Sequence, residues 1–138
     1  MKRHPAGFGL IDALIALAVL AFGLLALAQL QTRLVAQGTD AQHRMAAARF
    51  ADELLNTLLV DTANAPCYTL PAAGACGSAT ASTSAADWKA RAVAALPAPA
   101  AAGSALAASG RFTVTLTWTG KESAEVRSHE VTSDVRGN

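Results

Sequence analysis

Residue types that could carry chemistry fall in few places in this 138-residue chain. Asp12 is the single charged residue in the otherwise uncharged stretch 8–28. Cys67 and Cys76 are the only two cysteines and bracket a segment rich in turn formers. Ser128-His129-Glu130 brings together the letters of a hydrolytic triad, but successive residues of a strand point to opposite faces, so these three cannot converge. Thr113, Thr115 and Thr117 share one strand face, either a binding surface or the wet side of an antiparallel sheet. His43 falls on a polar helix face and is expected to be solvated. The sequence holds no phosphate-binding loop, no metal-ligand cluster and no nucleophile–base pair. Neither catalysis, a cofactor nor a metal is expected.

The elements that must position these residues begin with the apolar run. Residues 8–28 read FGLIDALIALAVLAFGLLALA, with no proline. At 1.5 Å per residue, about 20 apolar helical residues cross a bilayer core of roughly 30 Å. The flank before it, MKRHPAG, carries Lys2 and Arg3 and no acid. Positive charge on this short side predicts that the N-terminus stays in the cytoplasm and the rest is exported. An ordinary secretory signal would follow its apolar region with small residues at a cleavage site. Here the helical pattern runs on through Gln29, Gln31 and Arg33, and the better cleavage position lies before the run, at Gly7-Phe8. A carboxylate in a membrane segment costs about 2.5–3.5 kcal/mol on insertion scales and is by default a functional residue. The plainer reading of Asp12 is a carboxylate favoured near a helix N-terminus, worth under about 1 kcal/mol.

Beyond the run, Leu30, Leu34, Ala41, Met45, Ala48, Leu55 and Leu59 recur at helical spacing, with Arg33, Asp40, Arg44, Arg49 and Asp52 mostly off that stripe. The pattern predicts an amphipathic continuation of the same helix, ending near Asp61 ahead of Pro66. With no proline between residues 8 and 60, one rod of about 80 Å is expected. In an exported protein, Cys67 and Cys76 are expected to form a disulfide contributing about 2–3 kcal/mol. A metal pair is the alternative, but it lacks the further ligands that zinc needs. Residues 77–86 read as loop, Asp87 as the N-cap of a short helix carrying Trp88, Ala92, Val93 and Leu96 and ended by Pro97, and residues 98–110 as irregular. Residues 111–118 alternate as a strand, with Phe112, Val114, Leu116 and Trp118 on one side. Residues 119–122 turn the chain, and 125–135 return as a more polar strand with room for a bulge or break.

Setting Lys2 and Arg3 aside leaves nine basic and ten acidic residues. Nucleic acid would need a basic stripe and is not an expected partner. The 78 residues after position 60 could bury only a thin core, so they need the helix, a disulfide or neighbouring subunits.

The opening GFGLIDALIALAVLAFGLLALAQLQ resembles the N-terminus of type IV prepilins: a short basic leader ending in Gly7, then Phe8, then an acid at the fifth mature position. Its wording is most similar to the PilV-type minor pilins, and the later order Asp87-Trp88, Ala95-Leu96-Pro97 and Phe112 to Trp118 is similar to that pattern more loosely. The family has Glu where this chain has Asp12. The resemblance implies an α+β pilin-like fold: leader 1–7, a membrane-spanning and filament-core half 8–28, an amphipathic half 29–60, and a small head 61–138 with an antiparallel sheet. It implies cleavage by a prepilin peptidase after Gly7, methylation of the new amine of Phe8, and a charge pair between Asp12 and the amine of Phe8 in assembly. The expected partners are that peptidase, other major and minor pilins, the inner-membrane assembly platform and the membrane. The expected location is the bacterial inner membrane before assembly and the pilus afterwards. A minor pseudopilin of a type II secretion system shares the leader, helix and sheet. A single-pass anchored periplasmic enzyme or binding module is the alternative from another class.

Overall fold

The computed structural model describes residues 8–120 and 125–135. Helix α1 runs Phe8–Val60. The chain divides into two compact units, Met1–Thr39 and Asp40–Asn138.

In the first unit every described residue is helical. The large side chains of Leu10, Leu14, Leu17, Leu20 and Phe22 are exposed, Leu10 by 71%. Helix α1 is the one helix, among the described residues, long and apolar enough to cross a membrane, and none of its apolar stretch is buried. An apolar surface left this bare in water would be strongly unfavourable, and by length and composition the helix could cross a membrane.

The second unit begins with the last turns of α1. A 3-10 helix follows at Thr62–Tyr68, then helix α2 at Ala79–Ala95 and strands β1 (Ala100–Leu106), β2 (Arg111–Thr119) and β3 (Val126–Asp134). The strands form one antiparallel sheet in the order β1-β2-β3. The period of two along β2 buries Phe112, Val114, Leu116 and Trp118 and leaves the threonines between them half-buried on the other face. The buried row joins one core cluster with Ala47, Ala51, Leu54 and Leu58 of α1 and Ala81, Ala85, Trp88 and Ala92 of α2. The expected α+β fold, a long N-terminal helix on a small antiparallel sheet, is therefore present.

Three local expectations need correction. The buried stripe of α1 keeps Leu55 of the expected one but not Met45, 59% exposed, or Leu59, 48% exposed; Ala47, Ala51, Leu54 and Leu58 are buried instead. Small residues leave room for the large side chains that share their cluster. Helix α2 starts eight residues before Asp87, with Ser78 as its N-cap accepting a hydrogen bond from the Ala81 N–H. The Ser/Thr-rich opening turn is helical because a good cap and tertiary packing offset modest propensity. Residues 100–106 form a strand rather than an irregular segment. Their pattern is almost all alanine and glycine and gives no alternation to read. Gly103 suits the position, since a Cβ would lie 3.0 Å from the Leu70 carbonyl oxygen and the backbone there would have to give by a few tenths of an ångström. That close approach belongs to a bridge in which Leu70 and Ser104 exchange two backbone hydrogen bonds of 2.9 Å. The helix does stop at Val60, β3 pairs with β2 over nine residues without a bulge, and α2 gives way at Leu96 before Pro97. The expected turn 119–122 falls partly outside the described residues.

The alanine stripe makes a prediction. Ala51→Leu should destabilise the protein by about 1–3 kcal/mol through overpacking. Val60→Ala, at a position 91% exposed, should change stability by less than about 0.5 kcal/mol. Denaturant unfolding of the full chain in micelles, followed by tryptophan fluorescence, measures both.

Candidate functional site

Asp12 lies in the second turn of α1, four residues after Phe8, where the helix begins, so the two positions share a face one turn apart. Its side chain is exposed. Gly7, the residue on the other side of the expected cut, lies outside the described residues.

The C-terminal end of α1 is fastened by a polar knot that sequence inspection missed. Asp61 accepts hydrogen bonds from Asn64 Nδ2 (2.8 Å) and from the hydroxyl of Tyr68 (3.0 Å). Tyr68 is buried, and burial, the hydrogen bond to Asp61 and the charge of Asp61 all raise the pKa of its phenol above the usual value near 10. The next residues continue the fastening. Ser104 Oγ donates to the Tyr68 carbonyl, and Thr69 Oγ1 accepts from the Ala73 N–H at 2.8 Å. Cys67 and Cys76 form the expected disulfide, closing the loop that carries Leu70. Cys67 is buried in the core and Cys76 is exposed.

A second set of polar contacts sits on α1 itself. Trp88 Nε1 donates to the Phe50 carbonyl at 2.8 Å, tying α2 to α1 across 38 positions. Arg91 donates to both carboxylate oxygens of Glu53 and lies over the Phe50 ring, 6.0 Å from its centre. Glu53 raises the pKa of that guanidinium, an exposed pairing of the kind that contributes little to stability. Asp40 takes Arg44 of its own helix (3.1 Å) and Arg127 of β3, both Asp40 and Arg127 being largely sheltered from solvent. Next to the Arg91–Glu53 pair, an open groove of about 570 Å³ is lined by Ala46, Arg49, Phe50, Asp52, Glu53, Asn56 and Ala95.

The sheet does not assemble the triad letters. Ser128 lies opposite Thr117 and Glu130 opposite Thr115, on the threonine face, whereas His129 lies opposite Leu116 on the core face. Thr115 Oγ1 reaches a Glu130 carboxylate oxygen at 3.5 Å. His43 is half-buried rather than fully solvated. Among the described residues no group of His, Cys, Asp and Glu could hold a metal ion.

Asp12 and the cysteine pair were visible in the sequence because each is an exception to its surroundings. Asp61–Tyr68, Glu53–Arg91 and Asp40–Arg127 join ordinary polar residues from separate turns or elements, and no local spacing marks them. No family model matches the chain, and no curated protein or solved structure matches it.

The Tyr68–Asp61 bond carries a pH signature. With its pKa raised on folding, the phenol contributes stability that is complete below its unfolded value near 10 and is lost as pH rises through the higher folded value. Unfolding free energy should therefore fall above about pH 10. Tyr68→Phe should remove about 1–2 kcal/mol at neutral pH and flatten that alkaline decline. A denaturant midpoint of the variant equal to wild type at pH 7 would contradict the assignment.

Proposed function

We propose that the chain is a minor pilin of a type IV pilus, most like the PilV-type minor pilins, and that its work is assembly rather than catalysis. The observation that carries this reading is one helix of 53 residues, bare and apolar at its start except for Asp12, that continues without a break into the core of a small α+β head. A signal anchor needs no carboxylate in its second turn and no continuation into the head. A subunit that lives first in a bilayer and then in a packed helical filament uses both.

On this reading the N-terminus faces the cytoplasm of the inner membrane, where a prepilin peptidase cuts after Gly7 and methylates the amine of Phe8. The new terminus is cationic, and Asp12 lies one turn deeper on the same helix face. In the bilayer the two charges partly neutralise each other within one subunit. On entering a filament, the amine attracts the Asp12 carboxylate of the subunit ahead and sets the axial register. A buried charge without a partner is costly, so pairing selects one register over its neighbours. Asp12 has a shorter reach than glutamate by one carbon–carbon bond, so the pair here must be drawn closer. The head is held rigid by its disulfide and supplies the exposed face of the filament. The inner-membrane assembly platform and the other pilins are the partners this role requires.

Two variants test the reading. Gly7→Glu should leave the leader in place, seen as a larger mass of the membrane form than the wild type trimmed to Phe8. Asp12→Ala should be recovered less in sheared pili relative to the membrane pool, while Asp12→Glu should be recovered at least as well as wild type. Removing the carboxylate also removes an insertion penalty, so membrane retention of Asp12→Ala should not fall. Normal incorporation of Asp12→Ala after confirmed cleavage would mean that apolar packing alone recruits the subunit.

A further inference from the structure

Cys67 and Cys76 stand in opposite surroundings although one bond joins them. Cys67 is 5% exposed and belongs to the core cluster together with its neighbours Ala65 and Tyr68. Cys76 is exposed, in a run from Pro71 to Gly77 that is exposed throughout. The whole stretch 62–86 carries no Asp, Glu, Lys or Arg. An incoming thiolate therefore meets neither a local like charge nor bulky cover at Cys76, and it cannot reach Cys67 without opening the core.

Each cysteine is also placed by contacts that do not pass through the S–S bond. Cys67 is the penultimate residue of the 3-10 helix Thr62–Tyr68. Tyr68, next to it, is held by its hydroxyl on Asp61 and by Ser104 Oγ donating to its carbonyl. Cys76 lies two residues before Ser78, the N-cap of α2, and α2 is tied to α1 through the Trp88 indole. The fold itself thus keeps the two sulfur atoms near each other. Disulfides form and break by attack of a thiolate on one sulfur, and access decides which sulfur exchanges with a reagent from solution.

We propose that Cys76 is the exchange sulfur of the pair and Cys67 the resolving sulfur, and that the bond is made on the folded chain by an oxidant of the disulfide class. In the forming direction Cys76 gives up its proton, and its thiolate attacks one sulfur of the oxidant. A mixed disulfide forms at Cys76, the S–S bond of the oxidant breaks, and its other sulfur leaves as a thiolate. Cys67 then gives up its proton and attacks the Cys76 sulfur. The Cys67–Cys76 bond forms, and the remaining sulfur of the oxidant leaves. Two electrons and two protons pass from the chain to the oxidant, which ends as two thiols. In reverse, attack at Cys76 must expel Cys67 as a thiolate held away from water, which is unfavourable. The bond is therefore slow to reduce while the head stays folded. This order goes beyond the pilin reading and does not depend on what the chain assembles into.

Glutathione is the probe, used on the full chain in micelles. Oxidised wild type is treated briefly with reduced glutathione, quenched with acid and alkylated. Fragment-ion mass spectrometry then locates the adduct, because no Lys or Arg separates the two cysteines. Glutathione should be found on Cys76 and the alkyl group on Cys67; glutathione on Cys67 would overturn the assignment. With oxidised glutathione, Cys76 in Cys67→Ala should form a mixed disulfide roughly 100-fold faster than Cys67 in Cys76→Ala, and denaturing guanidinium chloride should bring the two rates within about threefold. A faster Cys67 without denaturant would likewise overturn it, and the wild-type adduct decides where an alanine variant fails to fold. Reduced wild type should keep its near-ultraviolet tryptophan dichroism before oxidised glutathione is added. Loss of that signal on reduction would overturn closure on the folded chain.

Discussion

The head depends on covering the apolar row of β2 with the buried residues of the two helices. Phe112, Val114, Leu116 and Trp118 present one large buried face, and a three-stranded sheet has no second sheet to cover it. Ala47 and Ala51 on α1, and Ala81, Ala85 and Ala92 on α2, supply the cover with almost no side-chain volume of their own. Interiors pack to near-crystalline density, so large residues on one side call for small ones opposite. The composition of the chain, rich in alanine and poor in aromatics, reflects this division of labour. Leu54 and Leu58 fill what the alanines leave, and Trp88 fixes α2 to α1 through its indole hydrogen bond. The polar contacts at Asp61 and Asp40 then settle where α1 ends and where β3 lies.

Legibility in the sequence followed the strength of local contrast. Strand β2 alternates without exception, and its inward residues were identifiable from period alone. The end of α1 was marked by Asn64 and Pro66, and that of α2 by Pro97. Strand β1 was illegible because AAAGSAL has neither alternation nor β-branched residues, and its state is imposed by pairing with β2 and by the bridge from Leu70. The first turns of α2 were misread because ATASTS resembles linker composition, although Ser78 was available as a cap. The inward face of α1 was only partly legible: Leu55 was placed correctly, but Met45 and Leu59 face out, while Ala47 and Ala51 pack beside Leu54 and Leu58. For the candidate site, Asp12 and the cysteine pair were legible as chemical exceptions. The Asp61–Tyr68–Asn64 knot was not, since it depends on the chain reversing through a 3-10 helix.

Function and fold meet in the continuity of α1. A carboxylate near one end and a packed head at the other are carried by a helix with no proline to bend it. Residues 8–39 and residues 40–60 belong to one helix by their hydrogen bonding.

The bridge between Leu70 and Ser104 also determines how far the sheet can grow. It stops the outer edge of β1 near its middle, and the disulfide-closed loop keeps the stopper in place. Among the described residues, no bridge lies on the outer edge of β3. A sheet with two open edges can recruit a strand at each and so polymerise without limit, whereas one with a single open edge can acquire only one neighbour. Edge pairing through β3 alone would join two molecules. The Cys67–Cys76 disulfide, by holding the loop that carries Leu70, thus bears on which edge of the sheet stays open.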